Sequence, residues 1–290
     1  MCRIYSYQMM KRDLKRFSGE YSEILKLFCL AKTADGRKIY GVCLGNPGAE
    51  KRIVIQASMH AREWFNTELV MRMIERYCRQ WRKNAVYKES SYRRLLEQVC
   101  FFILPMVNPD GVIISQYGVK GLRNKGLQKN VKERMKGRHY YWKANARGVD
   151  LNRNYSTGFA SNTADCAGER EFAGEYPFSE RETRALVKLI RTVKPCLMIN
   201  YHSAGHLIYY REEGVLVQGV KRLTGYKLCR EMEPANGNLG DWLSELGIEW
   251  CTVETCIGKA PAGSWQLLVE WGKHRDLIAE AAYMVRKSKL

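Results

Sequence analysis

Apolar positions along the chain recur at two spacings, and the alternation between them lays out the fold. Residues 7–30 carry Met10, Leu14 and Phe17, then Ile24, Leu25, Leu27 and Phe28, at intervals that predict helix with a break at Gly19. ADGRK (34–38) reads as a hairpin turn leading into IYGVCLG. KRIVIQAS (51–58) is a short β-branched run, followed by MHAREW and a helical pattern from about Phe65 to Arg82. VCFFILPMV (99–107) predicts another strand, ended by the turn residues NPDG. Residues 115–147 are polar, basic and dotted with glycine, the pattern of a long excursion outside the core. In 179–193, Ser179 as N-cap and Glu182 as its capping-box partner precede an apolar stripe, which predicts a helix. PCLMINYH (195–202) is the next buried strand. The stretch 225–247 is helical but irregular, IEWCTVET (248–255) is a strand, and residues 263–286 close the chain as a helix.

Strands thus alternate with helices, and their apolar runs are too continuous for a sheet wetted on one side. Both features predict an α/β/α sandwich around a mixed, mostly parallel sheet. No repeat or low-complexity linker divides it, so a single domain over 1–290 is expected. No run approaches the roughly 18–20 apolar residues of a membrane span. The start, MCRIYSYQMMKRDLKRF, has scattered charges and no apolar h-region, unlike a secretory signal, so the expected compartment is the cytoplasm.

Composition changes the picture in one respect. Forty-eight Lys and Arg against thirty Asp and Glu give a net charge of +18, a field that favours anionic partners such as an acidic substrate or an anionic polymer. The cations are densest in 119–147, but no nucleic-acid-binding signature accompanies them. Any adhesion to nucleic acid would be incidental and would weaken steeply with salt. The ten cysteines are scattered without a CxxC pair, which argues against a zinc ribbon or a thioredoxin-type site.

Candidate chemistry begins at His60-Ala-Arg-Glu63, between the strand 51–58 and the start of a helix. Open α/β sheets place their ligand sites at such strand ends. A histidine and a glutamate three apart can turn to one point, but the pair alone is a weak signal. His202 ends a second apolar strand and can reach the same rim, completing the three protein ligands that catalytic zinc uses. His206 is a competing ligand by spacing, whereas His139 and His274 lie among charges and are expected at the surface. Glu254 interrupts the strand 248–255, where an isolated carboxylate would be costly. Either it is a general base in the metal's field or half of a structural ion pair. Asp150, Asn152 and Arg153 in GVDLNRNY offer a carboxylate to orient a histidine ligand and a fork that suits a substrate carboxylate.

With ADGRKIYGVCLG, HAREW, NPDGV, WKANARGVDLNRNY, YHS and TVETCIGKAP in this order, the chain resembles the zinc carboxypeptidase family along essentially its whole length. The wording WKANARGVDLNRN is most similar to the bacterial γ-D-glutamyl-diaminopimelate peptidases, which cut peptidoglycan stem peptides. The resemblance implies that fold and one zinc ion held by His60, Glu63 and His202. It implies Glu254 as the base that activates water and returns the proton to the leaving amine, and Asp150 as the residue that orients His60. Asn152 and Arg153 would bind the substrate's terminal carboxylate, and Arg62 would help to steady the substrate. The implied substrate is a peptide or muropeptide with a free carboxylate, with neither a membrane nor a specific nucleic acid as partner.

Three positions depart from the family pattern. The oxyanion arginine is replaced by Lys143 after Trp142, unless Arg147 takes that role. CREMEPANGNLGDW (229–242) lacks the mobile tyrosine of the animal digestive enzymes. Gly240, before Asp241 and Trp242, is expected to leave the specificity pocket open and without an apolar wall, which suits a polar, branched diamino acid. The rival expectations are a general metallocarboxypeptidase and, from another class, a catalytically silent binder of anionic polymer.

Overall fold

The computed structural model describes residues 4–161, 163–168, 170–232 and 236–287. Its strands are β1 (Leu25–Lys32), β2 (Lys38–Gly45), β3 (Lys51–Ala57), a two-residue hairpin pair β4 (Val86–Tyr87) and β5 (Ser90–Ser91), β6 (Val99–Leu104), β7 (Leu197–Ser203), β8 (Leu207–Tyr210), β9 (Lys227–Arg230) and β10 (Glu249–Thr255). The helices are α1 (Tyr7–Glu20), α2 (Phe65–Arg82), α3 (Tyr92–Gln98), α4 (Pro109–Tyr117), α5 (Lys125–Arg134), α6 (Arg181–Val193), α7 (Val215–Thr224), α8 (Leu239–Glu245), α9 (Leu267–His274) and α10 (Leu277–Lys287).

Eight strands form one sheet in the order β1-β2-β6-β3-β7-β10-β8-β9. The central four, β6, β3, β7 and β10, run parallel, while β2 and β8 pair antiparallel on either side of them. This is the mixed, mostly parallel sheet the apolar runs predict. One face buries stripes of α1, α2, α7, α9 and α10, and the other takes α6 and α8. In α2 the stripe Leu69, Val70, Met73, Ile74 and Tyr77 recurs every three or four residues and is buried throughout. Each such side chain contributes roughly 1.5–3 kcal/mol by leaving water. Because the central strands are parallel, their C-terminal ends share one edge, and the residues that follow them meet there.

Several expectations are corrected. The helix read over 7–30 stops at Glu20, running through Gly19, and Leu25–Lys32 is the edge strand β1. NPDG does not end a strand in a free turn. Asn108 caps α4 by accepting from the Gly111 N–H, and Pro109 occupies its first turn, where no N–H is needed. The 115–147 excursion contains α5, and its Leu122, Val131 and Trp142 form an apolar cluster with Ile114 of α4. Glu180, not Ser179, is the N-cap residue of α6, and no capping box forms. Ser179 donates to the Glu180 carboxylate instead, and burial followed by repulsion from Asp110 pushes the Glu182 carboxyl up to about 8. His274 is fully buried, with its ring nitrogens against the Tyr201 and Tyr226 hydroxyls. The final helical stretch is two helices, α9 and α10. No helix among the described residues is long and apolar enough to cross a membrane.

Candidate metal centre and active site

The shared strand edge carries the site. His60 follows β3, Glu63 lies in the short 3-10 turn Ala61–Glu63 before α2, and His202 is the penultimate residue of β7. The three side chains are buried, and their donor atoms all lie within 4.8 Å of one another. His60 Nδ1 is 2.8 Å from one Glu63 oxygen, His202 Nδ1 is 3.0 Å from the other, and the two Nδ1 atoms are 3.0 Å apart. Burial raises the Glu63 carboxyl, but His60 and His202 outweigh it and hold that carboxyl well below the usual range.

The tautomers decide what this set can hold. Asp150 sits 3.2 Å from His60 Nε2, so that nitrogen carries the proton and donates, leaving the Nδ1 lone pair facing Glu63. Two imidazole nitrogens and a carboxylate oxygen, all buried and converging on one point, could hold one zinc ion, since His₂Glu is a donor set that catalytic zinc uses. The donor chemistry therefore fits the metal. His206 does not join the set, because its Nε2 is engaged with Glu270 at 2.8 Å. His139 is also away from it, with Nδ1 on the Ser115 carbonyl.

Asp150 is fully buried and serves four neighbours: one oxygen takes His60 and accepts from the Asn152 N–H, and the other pairs with Lys143 Nζ at 2.8 Å and accepts from the Glu171 N–H. Burial would raise its carboxyl, but Lys143 and then His60 hold it well below the ordinary value. A carboxylate that orients a ligand histidine raises the ligand's basicity. Asp150→Asn is accordingly expected to weaken zinc binding about 10- to 100-fold, read by titration against a competing chelator. Unchanged affinity would mean that Asp150 only fills space.

Local structure explains why these loops meet. The Asn108 amide donates to the carbonyls of Met59 and Ala144, and Ala61 N–H donates to the Lys143 carbonyl. Trp142, buried against Asn145 O, anchors the same loop. The NPDG segment is thus the clamp that holds the 142–146 loop against the metal motif, a role not legible in its turn-like composition.

Glu254 stands opposite His202 in the β10–β7 register, so both side chains leave the same face of the sheet. Burial pushes its carboxyl up to about 7; His202, Lys143 and Arg62 oppose the rise and Glu63 adds to it. Such a carboxyl can take and return a proton near neutrality. Among the described residues it has no ion-pair partner, so the structural ion pair is not formed.

The triad and Glu254 open into a cavity of about 1020 Å³, which Arg62, Lys143, Asn152, Arg153 and Gly240 also line. Asn152 and Arg153 lie on the 3-10 turn Leu151–Arg153, which Asp150 caps. The Asn152 amide oxygen accepts from Leu239 N–H, while Arg153 has no ion-pair partner among the described residues. Arg147 is not part of this cavity. Its half-exposed guanidinium pairs with Glu180 at 3.4 Å beside a separate hollow, so of the two basic residues Lys143 is the one that lines the cavity with the triad.

Gly240 needs a correction. A Cβ there would lie 2.5 Å from the Trp250 indole, so the glycine exists to admit that ring. The ring also lines the cavity, which therefore has the apolar wall that Gly240 alone was expected to deny it. Residues missed in the sequence and present in the lining include Asn200, Tyr209, Glu231, Trp250 and Thr252. The tyrosine-free stretch 229–242 borders the same cavity, and its residues 233–235 lie outside the described ones.

Comparison with known proteins agrees with this geometry. A family model described as zinc carboxypeptidase matches residues 10–213. A gamma-D-glutamyl-L-diamino acid endopeptidase 1 from Lysinibacillus sphaericus is 29% identical over 277 residues, covering 89% of this chain and 67% of that protein. Carboxypeptidase B of Rattus norvegicus is 27% identical over 272 residues, covering 84% and 61%. Bovine thrombin-activatable fibrinolysis inhibitor shares the fold with a TM-score of 0.74 at 19% identity, over 99% of each chain.

Proposed function

Since the chain belongs to the zinc carboxypeptidase family and is a metallopeptidase, we propose that its bond is the γ-D-glutamyl link to a diamino acid in peptidoglycan stem peptides. One observation carries the choice: besides Lys143, which pairs with the buried Asp150, the cavity presents four basic side chains, Arg62, Arg153, Arg170 and Lys259, against three acids, Glu63, Glu231 and Glu254. Two of those acids belong to the metal set and the base. An ordinary C-terminal residue brings one carboxylate. A γ-D-glutamyl-diaminopimelate peptide carries three: the free α-carboxylate of the glutamate beside the scissile bond and the two of diaminopimelate. The surplus of positive charge suits the substrate with several carboxylates. The Lysinibacillus relative is named for the same bond.

The roles follow from position. Arg153, unpaired and forked, holds the leaving residue's carboxylate, with Asn152 beside it. Glu254 removes the proton from the attacking water and delivers it to the departing amine. Lys143 supplies positive charge where the carbonyl oxygen becomes negative, and Arg62 steadies the acyl side. Asp150 keeps His60 in the tautomer that leaves Nδ1 free. Zinc, when bound, supplies Lewis-acid polarisation.

Arg153→Ala is expected to raise KM about 10- to 100-fold for substrates with a free terminal carboxylate, as befits loss of a charge-assisted contact, and to leave amidated analogues unaffected. Equal losses on both would remove Arg153 from the anchor. The reading as a whole is tested by comparing L-Ala-γ-D-Glu-meso-diaminopimelate with blocked α-linked dipeptides. Faster turnover of the stem peptide supports it. Preference for the dipeptides would make the protein a general metallocarboxypeptidase, and binding of anionic polymer without turnover of either would make it a silent binder.

A further inference from the structure

One pleat below Glu254 and His202, four strands bring a polar residue each into register: Tyr209, Thr252, Asn200 and Gln56. Side chains two apart on a strand share a face, so this row lies under the catalytic row, about 6–7 Å further down the strands. That depth is within reach of a long, unbranched side chain. Below it, Trp250 pairs with Met198 in an apolar row. Tyr209, Thr252 and Asn200 line the cavity, and Gln56 backs Asn200 from the next strand.

Asn200 and Gln56 are both anomalies in the row, since Gln56 too is buried with neither side-chain amide atom paired, but of the two only Asn200 lines the cavity. Asn200 is 1% exposed, and neither its amide nitrogen nor its amide oxygen has a hydrogen-bond partner. Buried polar atoms are ordinarily paired, so a cavity-lining amide with both atoms free marks a place where something else must supply the partners. Glu231, on the wall, is a second unmet demand: it is half-buried and has no ion-pair partner among the described residues. Burial and Asp241 push its carboxyl up, against the pull of Arg211 and Arg153.

We propose that Asn200, together with Glu231, reads the far end of the leaving residue's side chain and selects an end that carries both an ammonium and a carboxylate. The amide N–H group donates to the carboxylate, the amide oxygen accepts from the ammonium, and Glu231 balances the ammonium's charge. A lysine-like end satisfies only the acceptor and Glu231. An apolar side chain satisfies none of them and leaves the buried Asn200 amide and the half-buried Glu231 carboxylate without partners, the arrangement that discriminates most strongly. Trp250, one row further down, closes the cavity beneath that end. The inference rests on the hydrolase reading above and specifies the leaving residue for that site.

The test uses the zinc-loaded full chain and three γ-D-glutamyl peptides that differ only in the leaving residue: meso-diaminopimelate, L-lysine or L-leucine. The wild type is expected to prefer diaminopimelate over leucine by at least 100-fold in kcat/KM. Asn200→Leu is expected to shrink that ratio at least tenfold. Asn200→Asp, nearly isosteric, loses the donor and repels the distal carboxylate, so it is expected to lower diaminopimelate relative to lysine at least tenfold. Glu231→Gln should lower both basic residues relative to leucine. Ratios are unmoved by a general loss of folded protein, which separates recognition from packing. Unchanged ratios in both Asn200 variants of an active enzyme would overturn the inference while leaving the proposed function standing. A wild type that cleaves none of the three peptides would overturn both.

Discussion

Replacing Glu254 by glutamine is expected to lower kcat about 10²- to 10⁴-fold, the usual worth of a positioned general base, while zinc stays at about one ion per chain. Glutamine keeps the size and position of the side chain at the end of β10, opposite His202, but cannot accept a proton. The metal set does not include Glu254, so its three donors are untouched. The two measurements together are diagnostic. Zinc retained with activity lost assigns Glu254 to the proton transfer. Full activity in the variant would end the mechanism, and loss of zinc would show that the carboxylate is part of the metal site.

His202→Ala is expected to abolish stoichiometric zinc binding and reduce turnover to background. Chelation of the wild type should do the same, with activity restored by one equivalent of zinc. A carboxylate and two imidazoles lie within 3.0 Å of one another in a buried site. Zinc binds these donors only when the fold has assembled them, so it stabilises the native state through mass action, by about 2.7 kcal/mol at free zinc 100 times the dissociation constant. Thermal unfolding with and without zinc should therefore show an upward shift for the wild type and none for His202→Ala. A variant that still binds one zinc tightly would shift the ligand role to another group.

How much of this was legible in the sequence depends on whether a feature is local or lateral. His202 and Glu254 could be read because each sits near the end of an apolar strand, and His60 and Glu63 because their motif directly follows one; parallel strands deliver their ends to one edge. Asp150 and Arg153 were visible as a polar knot in GVDLNRNY. The row Tyr209–Thr252–Asn200–Gln56 was not, because it exists only through register between strands far apart in the chain. For Asn200, just before YHS, the signal available in the sequence is a polar amide in an otherwise apolar run. Gly240 misled for a related reason. Its missing side chain is compensated by Trp250, ten residues away and on another element.

The errors in secondary structure have the same origin. β1 is an edge strand with a mixed burial pattern, and its apolar residues continue the spacing of α1 without a strong breaker between them. The short strands β8 and β9 are held by pairing with β10 and with each other more than by any pattern of their own. His274 stands beside charged residues in the chain, yet the Tyr201 and Tyr226 hydroxyls draw it inside. Residue neighbours in sequence predicted exposure, whereas hydrogen-bond partners across the fold decided it.

The most direct test of the central claim is mass spectrometry of the products formed when the zinc-loaded protein is incubated with L-Ala-γ-D-Glu-meso-diaminopimelate. The account predicts two species, L-Ala-D-Glu and free diaminopimelate, that fail to appear with the Glu254→Gln variant. Intact tripeptide, or release of alanine in place of diaminopimelate, would contradict it.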